Sequence, residues 1–221
     1  MSITAIRNLL RKHRVPGAPF RSGLGWKAFL KAQASAIVLT DFIEVDTVFL
    51  KRLYVLLYME LATRRVIWFA VTQAPNAQWV RQQARNVAWK LHELGIEAKF
   101  LIRDNDAKFG GGFDLVMEGE GIEVIRTPIL APLANSHIER QNGSTRRECL
   151  DWILIVGRRH LERVLSEWFA HYNEERPHRA LELKTPIARS DPVGLVGSVE
   201  CRSRLGGLLN SYSMAPSMVA A

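Results

Sequence analysis

Three runs of strand-forming residues follow one another with almost no chain between them. AIVLTDFIEVDTV (36–48) is β-branched and apolar but broken by acids, and LYVLLYMEL (53–61) and RRVIWFAVT (64–72) come after short connections. Such spacing predicts a three-strand meander. Downstream the period changes. Val80, Ala84, Val87, Ala88, Leu91 and Leu94 recur at helical spacing across 77–94, and Gly95 ends that helix. AKFLIRD (98–104) reads as a fourth strand, FDLVMEGEG (113–121) as a helix and IEVIRT (122–127) as a fifth strand. A proline-containing loop, TPILAPLA (127–134), leads to a helix starting near Asn135. Another helix spans about 158–174, where Leu161, Val164, Leu165, Trp168, Phe169 and Tyr172 form one stripe and Pro177 stops it. The order β-β-β-α-β-α-β-α-α predicts an α/β fold, a mixed five-stranded sheet flanked by helices. Beyond 186 the chain is rich in Gly and Ser and shows no pattern.

The longest unbroken apolar run is LYVLLYM at 53–59, far short of the roughly twenty residues a membrane-spanning helix needs. MSITAIRNLLRKHR lacks the apolar centre of a secretory signal. Cys149 and Cys201, the only cysteines, read as free thiols, and no Cys/His cluster has zinc spacing. The six tryptophans read mainly as core. A cytoplasmic protein without a membrane partner is expected.

Charge is unevenly placed. The formal net charge is +8, and residues 1–40 hold seven basic residues (Arg7, Arg11, Lys12, Arg14, Arg21, Lys27 and Lys31) with no acid. The rest of the chain balances 23 basic groups against 22 acids. Residues 3–14 read as a short basic amphipathic helix with Ser2 as its N-cap, and VPGAPFRSGLG (15–25) reads as a linker. A second short helix, 26–34, enters the main domain. A basic arm on a near-neutral globule points to a polyanion, nucleic acid first.

Three carboxylates sit among apolar residues at element edges: Asp41 within the first strand, Asp104 at the end of the fourth, and Glu139 in the first turns of the helix after the proline loop. Carboxylates from separate elements can hold two divalent ions about 3.5–4 Å apart, one on each side of an in-line displacement at phosphorus. Without metal they repel, and at least one pKa should rise. A single Asp after a strand is more commonly a turn or cap residue, as is expected for Asp106. Glu44 and Asp46 are either the solvent side of strand one or substitutes for Asp41.

Residues 26–186 resemble the integrase catalytic core of bacterial insertion-sequence transposases and retroviral-type integrases, with its ribonuclease-H-like fold. The matching pieces are TDFIEVDT, LATRRVIWFAVT, LIRDNDAKF, RTPILAPLANSHIERQNGSTRRECLD and HYNEERPHRALELKTP, in that order. The resemblance implies a DDE-type polynucleotidyl transferase whose catalytic and metal-binding residues are Asp41, Asp104 and Glu139. It implies two divalent ions, Mg²⁺ or Mn²⁺, and metal-dependent DNA cleavage and strand transfer. Many members have glycine where this chain has Asp106. Asn135 also matches, either touching DNA or capping the helix. His137, two residues before Glu139, faces another side.

Arg140, Arg146 and Arg147 are candidate phosphate contacts, with Arg7, Arg11 and Lys12 on the arm. Arg176 and His178 either position DNA or hold a helix end. The 2–14 helix resembles the last helix of a helix-turn-helix domain, so 1–25 reads as its remnant, 26–186 as the core and 187–221 as a tail. The expected partners are DNA, further copies of the chain in a homo-oligomer, and an upstream helix-turn-helix chain, in a nucleoid-associated setting. Two alternatives are a ribonuclease-H-like nuclease that does not join, and an inactive truncated transposase that only binds DNA.

Overall fold

A computed structural model describes residues 25–110, 112–127, 135–188 and 198–214. The expected helix at 3–14, with Arg7, Arg11 and Lys12, and the loop at 128–134 lie outside the described residues. Helix α1 (Trp26–Ala32) belongs to a first unit, and everything from Gln33 onward to a second.

The meander is present as β1 (Ile37–Asp46), β2 (Arg52–Glu60) and β3 (Val66–Thr72), joined antiparallel. Helix α2 (Ala77–Glu93) then leads to β4 (Phe100–Arg103), and α3 (Phe113–Gly119) to β5 (Glu123–Arg126). Both later strands are parallel to β1, giving the order β3-β2-β1-β4-β5. Helices cover both faces, which explains the uninterrupted apolar run in β2: Val55, Leu56, Leu57, Tyr58 and Met59 are all buried. Val38, Leu56, Tyr58 and Leu101 pack on one face against Val80, Ala84 and Val87 of α2 and Phe113 and Met117 of α3.

The opposite face receives α4 (Ser136–Glu148) and α5 (Arg158–Glu174). Phe169 of α5 lies 5.1 Å from Phe69 of β3, and the Asn173 side chain pairs with both backbone groups of Val66 at 2.9 Å. Trp168 is fully buried, and its indole donates to Thr145 of α4 at 3.1 Å. These contacts seat α4 against the sheet.

Local chemistry sets the ends. Asn76 caps α2 by accepting from Trp79 N–H at 2.9 Å, and Gly95 takes the left-handed conformation (φ 65°) that stops it. The tryptophans do not all follow the core expectation: Trp89 and Trp152 are 76% and 71% exposed. Each lies on a helical turn whose opposite side meets the core. Both cysteines are free, Cys149 buried and Cys201 exposed, and burial pushes the Cys149 thiol up to about 12.

Past residue 186 the structure adds a hairpin that no sequence pattern announces, β6 (Val199–Arg204) with β7 (Leu209–Met214). It is held mainly by charge. Arg204 and Arg202 reach Glu175 at the end of α5, at 2.9 and 3.5 Å.

Candidate active site

Register brings the first two carboxylates together. Leu39 of β1 pairs with Ile102 of β4, so Asp41 and Asp104, each two residues further, share an end and a face of neighbouring parallel strands. That face is the one α4 covers, and α4 carries Glu139 in its first turn. Asp41 is half-buried, whereas Glu139 is exposed.

Burial is the main cause that pushes the Asp41 carboxyl up to about 7. Asp104, Glu139 and Asp106 add repulsion, and the Phe42 N–H, donating to it at 2.8 Å, pulls the other way. The three carboxylates therefore act on one another, each from a separate element. Among the described residues no group of three or more His, Cys, Asp or Glu side chains is already drawn together closely enough to hold a metal ion.

Asn142 escaped sequence reasoning. Its amide donates to Asp41 Oδ2 at 2.7 Å, while its own Oδ1 is buried without a partner. The available signal was spacing: at 3.6 residues per turn, Glu139, Asn142 and Arg146 fall on one stripe. Arg146 uses that stripe to donate to the carbonyl of Glu44 on β1. Arg103 was also missed, a buried charge in an apolar strand. It clamps Asp114 at 3.0 and 2.9 Å and donates to the Asp104 carbonyl at 2.7 Å, fixing the strand end. Burial would raise Asp114, but hydrogen bonds from Arg103 and Arg126 outweigh it and hold it below the usual range.

The remaining acids near the site have structural partners. Asp106 caps the short turn Ala107–Phe109, accepting from Lys108 N–H at 2.9 Å and pairing with Lys108 Nζ at 2.7 Å, as a turn residue should. Glu44 and Asp46 alternate with Asp41 along β1 and pair with Arg52 at 3.1 and 2.9 Å. They form the solvent side of the strand.

Asn135 occupies the N-cap of α4, but only its backbone carbonyl serves the helix. The side chain makes no capping bond, and its Oδ1 is buried and unpartnered. Of the predicted arginines, Arg147 is exposed on α4, and Arg140 lies on the far side from Asn142 with His137. His137 is pushed down to about 4, chiefly by burial and then by Arg64 and Arg140, so it is neutral near pH 7. Arg176 and His178 hold the end of α5. Arg176 forks onto Glu148 at 2.7 Å twice, and His178 contacts the Tyr172 carbonyl at 3.2 Å.

A mixed sheet in this order, with one acid within β1, a second just past the end of the parallel β4 and a third on the covering helix, defines a ribonuclease-H-like fold. The catalytic domain of Mos1 mariner transposase superposes with a TM-score of 0.52 at 17% identity, over 71% of this chain and 85% of that one. The HTLV-2 integrase catalytic core domain, solved with magnesium, gives 0.53 at 12% identity, over 69% and 93%. Residues 120–186 match the family model for the integrase core domain. An uncharacterized 31.7 kDa protein of insertion element IS407 from Burkholderia multivorans is 40% identical over 55 residues, 25% of this chain and 20% of that protein. The chain spans about a fifth of the length of the insertion-element proteins it matches. Among the described residues no helix is long and apolar enough to cross a membrane.

Proposed function

We propose that this chain is the catalytic core of a DDE-type DNA transposase or integrase that cuts DNA and joins the released end to a target. The observation that carries this reading is the strand register that sets Asp41 and Asp104 side by side on the sheet face covered by the helix of Glu139. Hard divalent ions prefer carboxylate donors of this kind.

Asp41, Asp104 and Glu139 would hold two Mg²⁺ or Mn²⁺ ions, which supply Lewis-acid polarisation of the phosphodiester and activation of the attacking oxygen. The chain's own residues do the rest. The Asn142 amide orients the Asp41 carboxylate, and Arg103 anchors the backbone under Asp104. Arg146 and Arg147 neutralise phosphates beside the acids, and Asn135, its side chain buried at the head of α4, holds the helix start through its backbone carbonyl. In the joining step a DNA 3′-hydroxyl gives up its proton and bonds to a target phosphorus. The target 3′-oxygen leaves and takes a proton, so phosphodiester bonds are conserved.

Arg7, Arg11 and Lys12 add contacts from the arm, and pairing two DNA ends calls for a homo-oligomer. An upstream helix-turn-helix chain would complete recognition, in the cytoplasm at the nucleoid. The test is a strand-transfer assay with a pre-cut element end. Asp104→Asn should abolish joining while DNA binding persists. Hydrolysis without joining by the unaltered protein, or full joining by Asp104→Asn, would overturn the proposal.

A further inference from the structure

Helix α4 has a second face, turned away from Asp41. There His137 and Arg140 line a cavity of about 490 Å³ with Arg64 from the β2–β3 turn and Arg176, His178 and Arg179 from the segment after α5. No carboxylate lines it. Arg176 is neutralised by Glu148. Among the described residues Arg64, Arg140 and Arg179 form no ion pair, and Arg64 Nη1 is buried with no hydrogen-bond partner.

An unsatisfied buried donor costs about 1–3 kcal/mol, more when charged. Here the deficit is compounded. Burial draws the Arg64 pKa down, Tyr172 works against this, and Arg140 adds a smaller push in the same direction as burial. Arg64 also holds a left-handed backbone (φ 64°), a conformation a bulky residue rarely takes without compensation. Arg64, Arg140 and Arg179 thus gather positive charge that no carboxylate lining the cavity balances.

We propose that this pocket takes one phosphate group of a nucleic-acid backbone, with Arg64 and Arg140 as its forked donors. A planar guanidinium matches two phosphate oxygens, and two such groups from separate elements fix one anion's position. The proposal rests on the DNA-processing reading for its choice of polyanion. A helix is about 10–12 Å across, and a DNA strand carries a phosphate about every 3.4 Å of rise. A strand whose reacting phosphate lies at the carboxylates thus has other phosphates within reach of the opposite face.

Binding of a labelled duplex, followed by fluorescence anisotropy in EDTA across a salt series, tests this without metal or chemistry. Arg64→Gln should weaken binding about tenfold on unrelated sequences and flatten the salt slope by about one. Arg64→Lys should restore the slope but not the full affinity. Arg140→Gln, at an exposed position, repeats the test where backbone strain is not involved. Inorganic phosphate alone should raise the melting temperature of the unaltered protein but not of Arg64→Gln. Unchanged affinity and slope in both glutamine variants, each folded by circular dichroism, would overturn the proposal. So would protection by inorganic phosphate with no effect on duplex binding. Either failure leaves the joining assay free to stand, and failure of joining leaves this binding measurement intact.

Discussion

One side of α4 turns Glu139, Asn142 and Arg146 toward β1, and the other turns His137 and Arg140 toward a cavity lined with arginines. The first side carries excess negative charge, enough to help hold Asp41 near neutrality, and the second carries guanidinium groups with no carboxylate among them. Glu139 and Arg140 are sequence neighbours, yet the helix between the two faces keeps them from cancelling. Residues i and i+1 on a helix do not face each other, so the two charges are held apart. Their separation leaves each face incomplete in its own way, one wanting cations and the other an anion. On the proposed function, metal ions and a phosphate backbone would supply these together.

Removing what both faces share should erase the difference. Trp168 is fully buried and ties α5 to Thr145 of α4, so Trp168→Ala should cost about 3–5 kcal/mol and weaken metal and duplex binding alike. Chemical denaturation with both binding assays checks this. Asn142→Ala should act on one face only. Losing the amide on Asp41 Oδ2 should cut divalent-ion affinity by about 10–100-fold, read by titration calorimetry, while phosphate protection of the other face persists.

Proton competition sharpens the same contrast. With its carboxyl near 7, Asp41 must lose a proton to accept a cation, so Mn²⁺ affinity should rise about fivefold from pH 6 to pH 7 and about twofold more before levelling off. Without metal the sign for stability is opposite. The folded protein binds this proton more tightly than the unfolded chain, so stability from this group falls as pH rises from about 4 to 7. Melting curves with and without Mn²⁺ should cross over accordingly.

The smallest effect belongs to the hairpin. Glu175 is pulled to about 2 despite burial, by Arg204, His171 and Ser211, so its contribution is present above the ordinary carboxyl pKa and fades as pH falls toward 2. Glu175→Gln should speed hydrogen exchange in β6 and β7 and leave both faces of α4 untouched.

The sheet and its helices were legible because their signals are local: β-branched runs, a stripe at helical spacing, Gly95 at a helix end. The three acids were legible for the same reason, each standing out against an apolar segment. Asn142 was not, because its role depends on α4 meeting β1 across a separation of 101 residues. Arg64 was hidden by backbone, since no pattern shows that its position turns left-handed. The hairpin buries almost nothing along β6, all but one of whose residues are exposed, so it left no hydrophobic alternation to read. Trp89 and Trp152 show the converse, large apolar residues that look like core but face solvent.

The most direct measurement is strand transfer and metal-free duplex affinity taken side by side on Glu139→Gln and Arg140→Gln, adjacent residues on opposite faces. Glu139→Gln should lose about a thousandfold or more in transfer, a barrier increase of roughly 4 kcal/mol, with affinity nearly unchanged. Arg140→Gln should lose affinity and salt dependence first, with transfer recovering at saturating DNA. Equal losses of transfer and affinity in both variants would contradict the division of labour between the two faces.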